Sequence, residues 1–130
     1  MNNKKYIGLE DLEVYQLSLE LQQEIFELTK TFPAEERYSL TDQIRRSSRS
    51  IGANISEAWG KRRYPAHFLS KLSDSDGEQN ETRHWLTSAF LCRYISEPIF
   101  NALIEKCKII GRKLGNMMQH SDKWTPLECR

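Results

Sequence analysis

Apolar side chains recur at intervals of three and four along most of the chain and nowhere at intervals of two, which predicts helices and no strands. The first helix is expected from Leu9 to Phe32. One of its stripes passes through Val14, Leu17, Leu21, Ile25, Leu28 and Phe32, and a second through Leu12, Tyr15, Leu19 and Phe26. Pro33 ends it, because proline pushes the preceding residue out of the helical region. Two stripes make a wider apolar surface than one neighbouring helix pair needs. The helix is therefore either deeply buried or shared with a second packing partner such as another subunit.

Ser39, with Asp42 three residues on, is the expected cap of a second helix whose stripe is Leu40, Ile44, Ser48, Ile51, Ile55 and Ala58 or Trp59. Gly60 suits its C-terminal stop. Pro65 fits the first turn of a third helix running to about Ile95. Its polar centre is the weak point: the stretch Ser73 to Thr82, with Asp76-Gly77, reads by propensity as a turn. That turn would split the helix into Phe68 to Leu72 and Trp85 to Ile95. Ser96 and Pro98 mark the start of a fourth helix, lined by Ile99, Leu103, Cys107, Ile110, Leu114 and Met117 and ending near His120. The expected fold is all-α, an up-and-down antiparallel four-helix bundle over residues 9–120. Residues 1–8 form an N-terminal extension and residues 121–130 a flexible tail, in which Trp124 either docks on the bundle or stays mobile. There is no internal repeat, low-complexity tract or second domain boundary.

Composition narrows the function classes. A chain of 130 residues is one domain's worth, and 38% apolar with 28% charged residues is too apolar for intrinsic disorder. A net charge of +1 gives no global basic field, so any attraction to nucleic acid must be local. The N-terminus lacks the charged-then-apolar pattern of a signal peptide, and no apolar run approaches the roughly 20 residues that span a bilayer, so the expected location is the cytoplasm with no membrane partner. Cys92, Cys107 and Cys129 are odd in number and lack metal-ligand spacing, and read as reduced thiols.

Projection of the second helix at about 100° per residue places Arg45, Arg46 and Arg49 roughly opposite its core stripe. The same side carries Ser50, Gly52, Ala53 and Ser56, small residues that let another backbone come close. This face is expected either to be covered by a neighbouring subunit, with Arg46 and Glu57 in polar contacts at the border, or to be solvated. Between Gln43 and Arg63 there are six basic side chains, Arg45, Arg46, Arg49, Lys61, Arg62 and Arg63, against the single acid Glu57. The first helix carries Glu10, Asp11, Glu13, Glu20, Glu24 and Glu27 against Lys30, so the two faces could pair across subunits. The other reading is a sequence-blind patch for RNA or DNA, in which guanidinium groups and the Lys61 to Arg63 turn grip phosphates while Tyr64 stacks on a base. Asn54 and Glu57 sit beside the core stripe, where an unpartnered polar group costs about 1–3 kcal/mol, and should be hydrogen-bonded.

Catalytic signatures are sparse. Glu81 and His84 make one Glu-x-x-His spacing, but a di-iron bundle needs two such motifs and two further glutamates, so no metal or cofactor is expected. There is no glycine-rich phosphate loop, nucleophile elbow or paired-cysteine knuckle, and no catalytic residue is assigned. Asp74, Asp76, Glu78 and Glu81 are expected to spread around the helix axis, with nothing marking one for a raised pKa. No small-molecule substrate is inferred.

Several runs carry a family resemblance. Leu12-Glu-Val-Tyr-Gln-Leu17, Thr31-Phe-Pro33, Tyr38-Ser-Leu-Thr-Asp-Gln-Ile-Arg-Arg46 and Ile51-Gly-Ala-Asn-Ile-Ser-Glu-Ala-Trp-Gly60 closely resemble the four-helix-bundle family of the 23S ribosomal RNA intervening sequence, over roughly Leu9 to Gln119. The middle signature is an arginine pair followed by Asn-Ile-x-Glu-x-x-Gly. Phe68-Leu69, Gly77, Glu81-Thr82 and Trp85-Leu86 resemble the family's third helix, which argues for continuity through the polar centre. The resemblance implies an antiparallel bundle, commonly assembled as a homopentameric ring, with no known enzymatic activity. A related branch, the accessory variability determinants of diversity-generating retroelements, is similar in fold and partners a reverse transcriptase and nucleic acid through a basic surface. The near-neutral charge of this chain departs from that branch. Arg45, Arg46, Asn54, Glu57 and Glu81 match the family's recurrent polar residues, none with an assigned catalytic role. The reading is a self-associating interaction protein, with a nucleic-acid-linked accessory role as its more specific form; a protein-interaction module without nucleic acid and a metal-dependent bundle enzyme are the alternatives.

Overall fold

Four helices in antiparallel succession make up the computed structural model, which describes residues 8–126. The N-terminal extension up to residue 7 and the end of the tail, including Cys129, lie outside the described residues. The helices are α1 (Glu13–Thr29), α2 (Leu40–Gly60), α3 (Pro65–Leu91) and α4 (Glu97–Gln119), with short 3₁₀ turns at Leu9–Asp11, Ala34–Glu36 and Ser121–Lys123. Among the described residues there is no strand. The helices pack in a closed cycle, α2 most extensively on α3, then α3 on α4 and α1 on α2, with α1 against α4 the thinnest seam. This is the up-and-down bundle that short connections dictate. No helix among the described residues is long and apolar enough to cross a membrane.

The first helix is shorter than its periodicity predicts. Its start is held apart as a turn in which the Gly8 N–H donates to Asp11 Oδ2 at 3.0 Å and Gln16 Nε2 donates to the Glu10 carbonyl at 2.8 Å. At the other end the N–H groups of Lys30, Thr31 and Phe32 reach carbonyls three residues back, so the last turn tightens before Pro33. The first stripe is the more buried: Val14, Leu21, Ile25 and Phe32 are buried with Leu17 and Leu28 half-buried, whereas in the second Leu12 is buried, Tyr15 and Phe26 are half-buried and Leu19 is exposed.

The cap of α2 comes from an unexpected residue. Ser39 makes no side-chain cap: its Oγ donates to Glu36 Oε1 at 2.6 Å, and the same carboxylate oxygen accepts the Leu40 N–H at 3.3 Å. Glu36 Oε2 also accepts the Tyr94 hydroxyl at 2.8 Å, and the Tyr94 ring packs on Phe32 with centroids 5.4 Å apart. One carboxylate thereby ties the α1–α2 connection to the α3–α4 connection. Hydrogen bonds from Ser39 and then Tyr94 hold the Glu36 carboxyl below its ordinary 4.5. The folded state therefore favours the ionised form; the clasp stabilises the fold above that ordinary value and is lost as pH falls through the lower folded-state value. Tyr94, pushed up to about 12 by its bond to Glu36, stays protonated throughout this range. Tyr94→Phe should accordingly melt below the wild type near neutral pH, and the gap should shrink as pH falls into the acid range; a gap unchanged down to about pH 2.5 would mean that the clasp does not depend on ionised Glu36.

α3 is continuous through its polar centre, as the family resemblance implies and propensity does not. Ser75 and Thr82 are fully buried and Gln79 nearly so. Ser75 Oγ donates to the Ile51 carbonyl of α2 at 2.8 Å, and Thr82 Oγ1 lies 2.9 Å from both Ser47 Oγ of α2 and the Glu78 carbonyl. Short hydroxyl side chains bring the two helices close and satisfy each other, so the polar stretch is an interface and not a turn. Gly77 faces open space on the outer side. The helix stops at Leu91 and not at Ile95. Arg93 adopts the left-handed conformation (φ 64°), its N–H donates to the Phe90 carbonyl and that of Tyr94 to the Ala89 carbonyl, both at 2.9 Å. This double closure usually recruits glycine at the left-handed position.

Gly60 likewise keeps no positive φ; it is the last residue of α2, and the stop falls on Lys61. Pro65 opens α3 and Ser96 caps α4, accepting the Ile99 N–H at 3.4 Å. Leu103, Cys107, Ile110, Leu114 and Met117 are buried, whereas Ile99 lies off the core at 43% exposure. Trp124 packs edge-on against Trp59 with centroids 6.1 Å apart, and Thr125 is buried. The tail expected to be flexible from residue 121 thus docks on the bundle at least to Thr125.

Candidate interaction surfaces

The three arginines of α2 do not share one outward face. Arg45 turns into the α1–α2 seam, where its Nε donates to Thr29 Oγ1 at 2.7 Å and its guanidinium lies 4.7 Å from the centre of the Phe26 ring. Arg49 leans the same way, 5.5 Å from that ring, and remains exposed; Lys30 covers it at 4.7 Å. Three cations on its ring account for Phe26 of the second apolar stripe of α1 without any other subunit. Arg46 alone points outward, with no ion pair or hydrogen bond among the described residues. The small face of α2 is divided too. Gly52 is buried against Ser18 and Tyr15 of α1, where an added Cβ would sit 2.9 Å from Ser18 Oγ, so the close approach it permits is already made within the chain. Ala53 and Ser56 stay exposed.

The acids of α1 are largely engaged at home. Glu13 pairs with Lys113 at 3.1 Å, Glu24 with Lys106, and Glu27 with Lys30 at 3.1 Å. The first two bridge the thin α1–α4 seam. The expected pairing of this acidic face with a neighbour's arginines therefore has few free carboxylates to use. Glu57, expected at the border of that face, pairs with Lys71 of α3 at 2.8 Å, which raises the lysine's pKa through that hydrogen bond and charge. Asn54 Nδ2 donates to the Ser50 carbonyl at 2.9 Å, so both polar residues beside the core stripe have partners.

A feature that the sequence did not mark lies in the α2–α3 seam. Asn54, Asp74, Gly77, Glu78 and Glu81 line a shallow trough of about 450 Å³. The carboxylates do not spread around the axis as expected: positions 74, 78 and 81 follow the i, i+4, i+7 spacing of one helix face, and only Asp76 turns away toward α4. Burial, then the charges of Glu81 and Asp74, push the Glu78 carboxyl up. Glu81 accepts the Trp85 indole N–H at 3.3 Å, and the His84 ring packs on Trp85 at 4.8 Å. Among the described residues no group of three His, Cys, Asp or Glu side chains is placed to hold a metal ion.

The basic turn forms a separate patch. Arg62 lies 3.6 Å over the Trp59 ring and donates to the Trp59 carbonyl at 2.9 Å; burial lowers its pKa. Its guanidinium is held on the Trp59 ring, which Trp124 meets edge-on. Lys61 and Arg63 are exposed, as is Tyr64 with its ring edge-on to His67. Arg46 and Lys61 stand about 22 Å apart along α2, so the six basic residues form two sites and not one surface.

This arrangement has known relatives. The profile of the family described as 23S rRNA-intervening sequence protein matches residues 10–116, which spans all four helices to within a turn of the end of α4. The chain belongs to that family. Among solved structures, a protein of unknown function from the S23 ribosomal protein family of Bacteroides thetaiotaomicron is 32% identical and superposes with a TM-score of 0.74, over 82% of this chain and 95% of that one. No curated protein gives a significant match. The polar residues that the resemblance singles out divide by position in this member of the 23S rRNA-intervening sequence family. Arg45, Asn54, Glu57 and Glu81 each have a partner within the fold, and Arg46 is left outward.

Proposed function

We propose that this member of the 23S rRNA-intervening sequence family is a non-enzymatic, cytoplasmic homo-oligomer, assembled through charged faces on neighbouring seams of the bundle. The observation that carries the reading is a matched pair of unsatisfied surfaces. Arg46 and Arg49 on the outer and α1-facing side of α2 have no acidic partner, and Glu78 and Glu81 in the α2–α3 trough have no basic one, among the described residues. Gly77, Ala53 and Ser56 keep that surface low enough for a second backbone to approach. Complementary patches at different places on one molecule make a head-to-tail contact. Adjacent seams of a four-helix bundle lie about a quarter-turn apart, and a head-to-tail contact at that angle closes after about four or five copies. Raised Glu78 is relieved when an arginine covers it, since opposite charge favours the ionised form.

Size exclusion with light scattering tests this. Arg46→Glu with Arg49→Glu, and separately Glu78→Lys with Glu81→Lys, should each reduce the ring to monomers, and the chain carrying both reversals should assemble again. A wild-type monomer at micromolar concentration, or single reversals that leave the mass unchanged, would sink the reading.

A nucleic-acid role is favoured by one further feature. In a cyclic assembly the exposed Lys61, Arg63 and Tyr64 of every copy fall on one rim, and several weak phosphate contacts add as avidity. Single-stranded RNA should then bind the assembled protein with a steep salt dependence and bind the monomeric reversal variants far more weakly. Equal affinity for both forms would exclude the rim.

A further inference from the structure

A cavity of about 320 Å³ opens where α1 passes into α2, its walls drawn from the end of α1, the connection and the first turns of α2. Three of its side chains are cationic, Lys30, Arg37 and Arg45, and no carboxylate lines it. Lys30 is shared with Glu27 at 3.1 Å, whereas the exposed Arg37 guanidinium has no ion pair or hydrogen bond among the described residues. Glu36, the neighbour of Arg37, is held by Ser39, the Leu40 N–H and Tyr94.

Cations on a surface count for little by themselves, because water satisfies them. Thr41 sets this cavity apart. It is 7% exposed, and its hydroxyl has no hydrogen-bond partner among the described residues. Every other buried serine and threonine among those residues donates to a main-chain carbonyl. Nor is the Thr41 hydroxyl sealed in: among the described residues, the side-chain polar atom that is both closed to solvent and unpartnered is Gln79 Oε1. The small exposed part of Thr41 therefore opens into the cavity it lines. Arg45 is fixed beside the cavity. Its Nε donates to Thr29 Oγ1 at 2.7 Å, its Nη2 reaches the Phe26 carbonyl at 3.5 Å and its face lies on the Phe26 ring, which leaves Nη1 without a partner.

The carbonyls that close α1 would repel an anion if they were free, but they are in use. That of Phe26 accepts the Thr29 hydroxyl at 3.0 Å, that of Leu28 the Thr31 hydroxyl at 2.7 Å and that of Thr29 the Phe32 N–H at 3.1 Å. The first turn of α2, on the other wall, carries N–H groups that the helix's own carbonyls do not use, and the positive end of its dipole.

The geometry points to a binding site for a tetrahedral dianion, inorganic phosphate or the phosphoryl group of a small monoester, held by Arg37 and Arg45 Nη1 with the Thr41 hydroxyl donating to one oxygen. Donors arriving from three elements surround a tetrahedral group, whereas a flat carboxylate meets them in one plane only. Guanidinium groups suit phosphate oxygens in particular, through their fixed fork of donors. Because the donors come together only in the folded chain, the ligand stabilises the fold. The site shares no residue with the Arg46–Arg49 face, the acidic trough or the basic turn, so it stands whether or not the chain assembles.

Calorimetric titration of the full chain at constant ionic strength with inorganic phosphate, glycerol 3-phosphate and acetate tests the site. The two phosphates should bind saturably and raise the thermal midpoint, and acetate should do neither. Glycerol 3-phosphate binding at least as tightly as phosphate assigns the site to a monoester; a clear preference for phosphate assigns it to the free anion. Arg37→Gln should weaken phosphate binding about tenfold, and Thr41→Val by a similar factor. Without ligand, Thr41→Val should melt close to the wild type, because it breaks no hydrogen bond within the protein, and Thr41→Ser should keep the phosphate affinity. Undiminished affinity in Thr41→Val, acetate binding as tight as phosphate, an equal loss in Lys61→Gln with Arg63→Gln, or no saturable binding at millimolar phosphate would overturn the assignment.

Discussion

Truncating Phe68 to alanine should lower the unfolding free energy by about 3–5 kcal/mol, read as a lower urea midpoint at unchanged m-value. Phe68 is 1% exposed and among the largest of the fully buried side chains. Its place in α3 makes the loss severe. That helix buries Phe68 and Leu72 near its start and Leu86 and Ala89 near its end, with only Ser75, Gln79 and Thr82 buried between them. Hydroxyl contacts to α2 orient the centre, but a hydrogen bond exchanged for one with water contributes only about 1 kcal/mol net, so the apolar ends supply most of the stabilisation. Leu91→Ala, at a position 75% exposed, is the matched control and should change stability by less than about 0.5 kcal/mol. A Phe68 variant costing under about 1 kcal/mol would mean that the first turns of α3 are not anchored in the core.

Gly52→Val should cost about 2–3 kcal/mol, the range for forcing atoms into a filled contact. Its Cβ would meet Ser18 Oγ at 2.9 Å, with Tyr15 Cε1 next at 3.7 Å. Ser18 has little room to yield, being fully buried with its hydroxyl donating to the Tyr15 carbonyl at 2.7 Å. The milder Gly52→Ala should be partly rescued by Ser18→Ala, with a coupling of about 1 kcal/mol, because the second change deletes the atom in the way. The same variants separate two uses of the glycine. If it serves the α1–α2 approach, chemical stability falls and the assembled mass of the folded protein is kept. Should the mass collapse while the stability of the monomer is untouched, Gly52 would belong to a contact between copies.

Helix order and antiparallel course were legible because each depends on local patterning, namely the three-and-four spacing, Pro33, Pro65, Ser96 with Pro98, and short connections, while the count of four rested on the family resemblance, since propensity alone splits the third helix. The stripes Leu21–Ile25 and Leu103–Cys107–Ile110–Leu114 are buried as their spacing predicts. Boundaries were less legible. Ser39 has the right residue type for a cap, yet Glu36 takes the Leu40 N–H, since a longer carboxylate already held by Tyr94 competes better than a lone hydroxyl. Arg93 ends α3 in a conformation that its residue type does not advertise. The polar centre of α3 misleads propensity because Ser75 and Thr82 find their partners on α2, 24 and 35 residues away in sequence.

The surface shows the same division. Sequence alone determined that this is an all-helical bundle of its family, with an arginine-rich second helix, small residues among those arginines, and no set of catalytic or metal-ligand spacings. Helical periodicity is a property of one segment, and it carries that much. Only the tertiary structure decided which charges remain free: Arg45 and Arg62 are drawn onto Phe26 and Trp59, Glu13, Glu24 and Glu57 are paired across helices, and Arg46, Glu78, Arg83 and Lys108 are left without ionic partners among the described residues. Whether a charged side chain is satisfied depends on what the neighbouring helix places within about 4 Å of it, and that distance is set by packing between segments far apart in the chain.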